Sequence, residues 1–131
     1  MNADRKLRLW RLVVEQAHGR QVAIKHVCAV VISTAAVDCA AVTVMLDATA
    51  RETVYASDQL ASELEELTLT LGEGPGVDAF AGGPVLVADL TAPDVQTRWP
   101  VFAPAAVQTG VRGVFALPMQ VGAIRIGVMD L

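Results

Sequence analysis

The sequence contains few aromatic residues, few cysteines and few charged residues. Aromatic side chains make up 5% of its 131 residues, charged side chains 18%, and the two cysteines are Cys28 and Cys39. A small disulfide-stabilised domain needs more cysteines than this, so the pair indicates a reducing compartment. Apolar residues make up 53%, which is enough for a sizeable core and argues against disorder.

No apolar run reaches the ~20 residues that a membrane-spanning helix requires. The longest candidate, residues 22–37, is interrupted by Lys25 and His26. The N-terminus is basic, but charged residues continue as far as Glu15, which is unlike a secretory signal. We therefore expect no membrane association and a cytoplasmic location.

The charge balance argues against direct binding of nucleic acid. The net charge is −4 and the isoelectric point is near 5.0, whereas nucleic-acid-binding domains are usually basic. A cluster of basic residues near the N-terminus is more typical of a solvated helix face than of a binding patch. This cluster consists of Arg5, Lys6, Arg8 and Arg11.

The length predicts one domain, residues 1–131, with an N-terminal helix in residues 1–20 and a core in residues 21–131. The first helix, residues 5–17, carries an apolar stripe at 3-4-3 spacing. The stripe consists of Leu7, Trp10, Val14 and Ala17, widened by Leu9 and Val13. Such a stripe predicts that the helix packs on the domain or on a second copy of the chain.

The remaining pattern predicts an α+β domain. We expect further helices at residues 22–37, 59–69, 76–80 and 100–110, and strands at 40–46, 53–56, 85–88, 113–119 and 123–131. Turns are expected at 47–51 and 121–122, and residues 94–99 are expected to form a loop with one turn. Tight hairpins at both ends of this series favour an antiparallel sheet with helices on its faces.

The helix at residues 59–69 is predicted to begin after an N-cap at Ser57-Asp58. Its inward side is predicted to hold Leu60, Leu64 and Leu67, and its solvent face Glu63, Glu65 and Glu66. A catalytic carboxylate pair on that face is conceivable, but three glutamates on an amphipathic helix usually only solvate it.

The stretch at residues 71–90, LGEGPGVDAFAGGPVLVADL, organises the chain. Three glycines and a proline at residues 72–76 permit tight backbone geometry, and Pro75 suits a first helical turn. The Gly-Pro break at residues 82–84 ends that helix before an apolar strand. We expect this stretch to cover one face of the sheet and to form the wall of a pocket.

Several segments in this order resemble a GAF domain over residues 21–131. They are GEGPG at 72–76, Asp89-Leu90, RWPVF at 98–102, Gly110, ALPM at 116–119 and IGVMDL at 126–131. The chain is most similar to the sensor domain of actinobacterial regulators that join a GAF domain to an RNA-binding ANTAR domain, whose ANTAR part the resemblance does not cover. It implies an antiparallel sheet of five or six strands, with N-terminal helices on one face, often in a dimer bundle. Loops and short helices on the other face would enclose a small-molecule pocket.

Catalysis and cofactors are not expected. The P-loop and dinucleotide-binding fingerprints are absent from the glycine-rich stretch; it offers at most the N–H groups of Gly76 and Val77 to an anion. Methionine sulfoxide-reducing and bilin-binding GAF domains use cysteines in the pocket wall, and haem-binding ones a pocket histidine. Here Cys28, Cys39, His18 and His26 precede that wall. His26 has no partner at metal-ligand spacing, so we expect a helix-surface histidine and no metal.

What remains is an apolar pocket with few polar groups. The predicted lining consists of Tyr55, Val77, Phe80, Trp99, Phe102 and Leu117, with Asp89 as a polar handle. Ordinary core packing is the alternative for the same residues. The expected function is therefore a non-catalytic sensory domain that binds a small molecule and controls an output such as transcription antitermination. The alternatives are a homodimerisation module without a ligand and, less favoured, a methionine sulfoxide reductase.

Overall fold

A computed structural model describes residues 3–45, 51–121 and 124–131. Within them lie six helices and five strands. The helices are α1 (Ala3–Gln16), α2 (Ile24–Ala35), α3 (Gln59–Leu71), α4 (Pro75–Gly82), α5 (Pro93–Arg98) and α6 (Phe102–Gln108). The strands are β1 (Ala41–Met45), β2 (Arg51–Ala56), β3 (Val85–Val87), β4 (Val114–Val121) and β5 (Ile124–Asp130).

The strands form one open sheet in the order β2-β1-β5-β4-β3, and every neighbouring pair is antiparallel. This arrangement confirms the predicted α+β fold class. The backbones of β1 and β5 approach each other closely at Gly127, where a Cβ atom would overlap the carbonyl oxygen of Thr43. Glycine at this position therefore permits the central strand pair to form.

Helices cover both faces of the sheet. On one face, inward residues of β3 and β4 pack with Leu90, Trp99 and Phe102 in the main core. On the other face, Cys28 of α2 is buried beside Val42 of β1. We call these the α3–α6 face and the α2 face.

Helix α1 lies on α2 and divides its apolar residues between two sides. Val13 and Ala17 are buried, whereas Leu7, Trp10 and Val14 are exposed at 49%, 53% and 44%. The predicted stripe therefore has an inner part, which packs on the domain, and an outer part in solvent. No helix in the described part of the chain has both the length and the apolar character needed to cross a membrane.

The predicted elements are present with ends shifted by a few residues, with one exception. Residues 94–99 were expected to form a loop, but α5 occupies most of this segment. Pro93 starts α5 with a preset φ angle, and the Trp99 N–H closes it on the carbonyl oxygen of Val95. Most of the predicted turn at 47–51 and half of that at 121–122 lie outside the described residues.

Candidate functional site

A cavity of about 370 Å³ lies between α3, the start of α4 and the last residues of β5. Two connections complete its wall: residues 36–39 between α2 and β1, and residues 110–113 between α6 and β4. Its volume falls within the range of about 300–1,000 Å³ that is usual for small-molecule sites.

The wall of this large cavity is mainly apolar. Its larger apolar side chains are Leu60, Leu64, Phe102, Val111 and Leu131. Polar groups come from Glu65 and Thr68 of α3 and from Asp130 of β5, while Asp38 and Arg112 are exposed wall residues. An apolar wall with a few converging polar groups is typical of a site that binds a small organic molecule.

Two carboxyl groups lie together in this wall. Glu65 is only 3% exposed, and its Oε2 accepts a hydrogen bond of 2.8 Å from the hydroxyl of Thr43. Burial, and then the hydrogen bond and charge of Glu65, raise the pKa of Asp130 well above its usual value. These effects favour a protonated Asp130 that donates to Glu65. We call these two residues the carboxyl pair.

The burial of Glu65 corrects the prediction that it lies on a solvent face. The buried residues of α3 are Ala61, Glu65 and Thr68, at i, i+4 and i+7, whereas Leu60, Leu64 and Leu67 are only partly buried. The helix is therefore rotated so that a stripe of small and polar side chains faces the sheet. A hydrophobicity pattern does not reveal such a stripe.

A much smaller cavity, of about 20 Å³, also has the carboxyl pair in its wall. Thr43, Thr68, Val77 and Phe80 line it as well. This volume is sufficient for a single water molecule. The carboxyl pair therefore lines both the large cavity, which can hold a ligand, and the small cavity, which can hold one water molecule.

Glycines allow the start of α4 to approach the site. A Cβ atom on Gly76 would come within 3.1 Å of Asp130 Oδ2, and one on Gly74 within 3.3 Å of the Phe102 ring. Gly74 also has a φ angle of 137°, which side-chain-bearing residues rarely adopt. The Asp130 carboxyl therefore lies against Gly76, where the sequence suggested an anion-binding N–H group.

Two acidic side chains of the same stretch hold the α5–α6 region. Glu73 Oε1 accepts from the backbone N–H groups of Val101 and Phe102 at 2.8 and 2.7 Å, which caps the start of α6. Asp78 Oδ2 accepts from Trp99 Nε1 at 3.1 Å and forms a 3.0 Å salt bridge with Arg98. Residues 71–90 thus hold α5 and α6 in position. Phe102, in α6, forms part of the cavity wall.

The structure brings only some of the predicted ligand-lining residues to the carboxyl pair. Phe102 lines the large cavity, and Val77 and Phe80 line the small one. Trp99 lies in the core at 2% exposure. Asp89 is exposed and accepts hydrogen bonds from the N–H and hydroxyl groups of Thr91, which lower its pKa.

The other two predicted residues lie on the α2 face. Tyr55 packs against the small buried cluster beneath α2. Leu117 is paired across the strands with Met129, which packs on that cluster. Both are therefore separated from the large cavity by the sheet. Strand alternation alone does not say which face a residue takes.

The cysteines and His26 have separate structural settings. Cys28 is fully buried on the side of α2 that faces the sheet, and burial raises its pKa. Cys39 lines the large cavity; burial and the nearby carboxylates of Asp58, Asp38 and Glu65 raise its pKa. His26, expected on the helix surface, is 8% exposed, and its Nδ1 accepts the Ala23 N–H at 2.8 Å. That bond satisfies a free donor at the start of α2.

Among the residues that the structure describes, no three His, Cys, Asp or Glu side chains are grouped so as to hold a metal ion. No model of a known protein family matches the chain, and a search of curated proteins finds no significant relative. The cavity and its carboxyl pair are therefore the features that bear on function.

Proposed function

We propose that the chain is a non-catalytic, cytoplasmic sensory domain of the GAF type that binds a small molecule in the large cavity. The observation that carries this proposal is a space of about 370 Å³ with a mainly apolar wall and a buried carboxyl pair. Ionisable groups with strongly shifted pKa values in a cleft are typical of functional sites. The proposed output is control of a partner process such as transcription antitermination.

The position of the cavity supports a sensory role. Residues 36–39, in its wall, directly follow α2, and α1 packs on α2. A ligand that contacts this connection can favour one position of α2 over another. Such differential contact is what a ligand needs to shift a conformational equilibrium.

A fragment screen by thermal shift and protein-observed NMR tests this proposal. We expect apolar fragments with one polar group to bind the wild-type chain. The Leu60→Trp substitution would fill part of the cavity and weaken binding about tenfold or more. Ser62→Trp is the matched control, because Ser62 is exposed on the same helix. Equal binding by both variants, or no binding to the wild type, would contradict the proposal.

A second role, homodimerisation through α1, is favoured by the exposed outer stripe of Leu7, Trp10 and Val14. A two-fold axis would place this stripe against its own copy and remove it from water. Analytical ultracentrifugation at micromolar concentration decides the point. A dimer is expected, and a monomer would refute this role.

Thiol chemistry is the enzymatic alternative, and the cysteine settings argue against it. Thiolates are the reactive form, and both cysteines have raised pKa values. The two cysteines also lie apart: Cys28 is on the side of α2 that faces the sheet, whereas Cys39 is in the cavity wall. We expect no turnover of free methionine sulfoxide with a thiol reductant, and measurable turnover would replace the sensory proposal.

A further inference from the structure

We infer that the large cavity selects molecules that carry a cationic hydrogen-bond donor, such as a primary ammonium group, on a small apolar body. Asp130 Oδ1 is the atom that accepts this donor. The inference rests on the proposed function, since it specifies which class of small molecule the same cavity takes.

The first observation is an unsatisfied acceptor. Asp130 Oδ1 is buried, and it has no hydrogen-bond partner among the described residues. A buried acceptor without a partner destabilises the folded protein. Asp130 lies in the wall of the large cavity, so a ligand placed there can supply the missing donor once a small rotation of the side chain brings Oδ1 to the cavity surface.

The second observation is the charge of the carboxyl pair. The charge of Glu65, which contributes to the raised pKa of Asp130, makes the pair negative. Arg112 lies in the wall of the large cavity and Arg51 in that of the small one. Within the described ranges, the salt bridge found joins Arg98 to Asp78. Neither Glu65 nor Asp130 takes part in a salt bridge there. Because a buried charge without a counter-charge is costly, a cation on the ligand would stabilise the pair.

The third observation limits the rest of the ligand. Leu60, Leu64, Phe102 and Val111 provide apolar surface in the same wall. These side chains favour an alkyl or aryl body next to the ammonium group. An anionic ligand would meet the negative pair and is disfavoured.

The carboxyl pair also has an explanation that involves no ligand. Asp130 and Glu65 can satisfy each other in part, and the water-sized cavity can serve Oδ1 instead of a ligand. On that alternative, the large cavity would not discriminate between a cationic and a neutral ligand of the same shape. The two possibilities therefore differ in a measurable selectivity.

Isothermal titration and NMR with three matched probes make the test: 2-phenylethylamine, 2-phenylethanol and phenylacetate. For the wild-type chain at neutral pH, we expect the amine to bind about 10- to 100-fold more tightly than the alcohol. That ratio corresponds to a hydrogen bond with a charged group. Phenylacetate is expected to bind most weakly.

Asp130→Ala removes both carboxyl oxygens and with them the Oδ1 acceptor, whereas Asn would keep it. This variant should lower the affinity for the amine about tenfold or more and leave that for the alcohol within about threefold. Asp94→Ala is the control, because Asp94 is an exposed carboxylate of α5 outside the cavity wall, and it should leave both affinities unchanged. If Asp130→Ala fails to fold by circular dichroism, the ratio of amine to alcohol affinity in the wild type still decides.

Equal affinities for amine and alcohol would overturn this inference and leave the proposed function standing. Undiminished amine binding by a folded Asp130→Ala variant would also overturn it. If none of the probes binds, the inference falls, and the fragment screen with Leu60→Trp decides separately whether the proposed function falls with it.

Discussion

The two faces of the sheet differ in how they are covered. Four helices pack on the α3–α6 face, where the core surrounds Trp99 and the wall holds a cavity and two carboxyl groups. On the α2 face, one helix covers a small buried cluster, and the cross-strand pair Leu86 and Phe115 is exposed at 68% and 38%. The first face therefore buries two carboxyl groups, and the second leaves two large apolar side chains exposed.

This difference suggests a division of roles. Buried carboxyl groups and a cavity both lower stability, so their presence on the better-covered face is best explained by binding. Exposed apolar residues on the α2 face and on α1 are best explained by association with another surface. The variants described next test whether binding and association are separated in this way.

The largest effect is expected in the core of the α3–α6 face. Trp99→Ala should lower the free energy of unfolding by about 3–5 kcal/mol, because it removes a buried aromatic side chain and its hydrogen bond to Asp78. Urea denaturation measures the change. Val101→Ala, at an exposed position nearby, should change it by less than about 0.5 kcal/mol. Similar losses in both variants would mean that this core is not the main source of stability.

A smaller loss is expected where α4 meets the carboxyl pair. Gly76→Ala should cost about 1–3 kcal/mol, because its Cβ atom would press on the Asp130 carboxyl. Gly82→Ala is the matched control in the same helix, since no atom lies within 4 Å of the added Cβ. That control should be neutral or gain about 0.4–1 kcal/mol. A neutral Gly76→Ala would show that the pair has room to move.

The carboxyl pair should also give stability a characteristic pH dependence. The unfolded chain loses the Asp130 proton near its ordinary pKa of 3.8, whereas the folded protein holds it to higher pH. The stabilising contribution of that proton is complete below the unfolded pKa and is lost as the pH rises through the folded one. The stability of the wild type relative to Asp130→Asn should therefore fall as the pH rises above about 4 and through the raised pKa of the folded protein. A constant difference in urea titrations would contradict a raised pKa.

The smallest effect on the stability of the single chain is expected at the outer stripe of α1. Trp10→Ser should change it by only about 0.5 kcal/mol, because Trp10 is 53% exposed. The same variant should shift sedimentation from dimer to monomer. Leu12→Ser, 41% exposed on another side of α1, should leave the dimer intact. Loss of the dimer in both variants, or in neither, would argue against the outer stripe as the interface.

Much of the fold could be predicted from the sequence, because it depends on strong local signals. Apolar periodicity located the long helices, and turn residues separated the strands. Asp58 caps α3 as expected, by accepting the Ala61 N–H at 2.8 Å. Helix α5 was missed because its six residues are too few to show a helical period.

The site could be predicted only in part. Phe102 was found because an aromatic residue in the segment after the glycine-rich stretch suggested a pocket wall. Glu65 and Asp130 were missed because their association depends on the rotation of α3 and on the position of β5 in the sheet. Neither is encoded in nearby residues, and an isolated glutamate on an amphipathic helix normally indicates solvent.

The most direct measurement of the central claim is methyl NMR of the leucine residues during titration with 2-phenylethylamine. We predict concentration-dependent shifts at Leu60, Leu64 and Leu131 of the cavity wall, with little change at Leu7 and Leu12 of α1. Shifts confined to α1, or no shifts at the cavity leucines with any fragment of the screen, would contradict it.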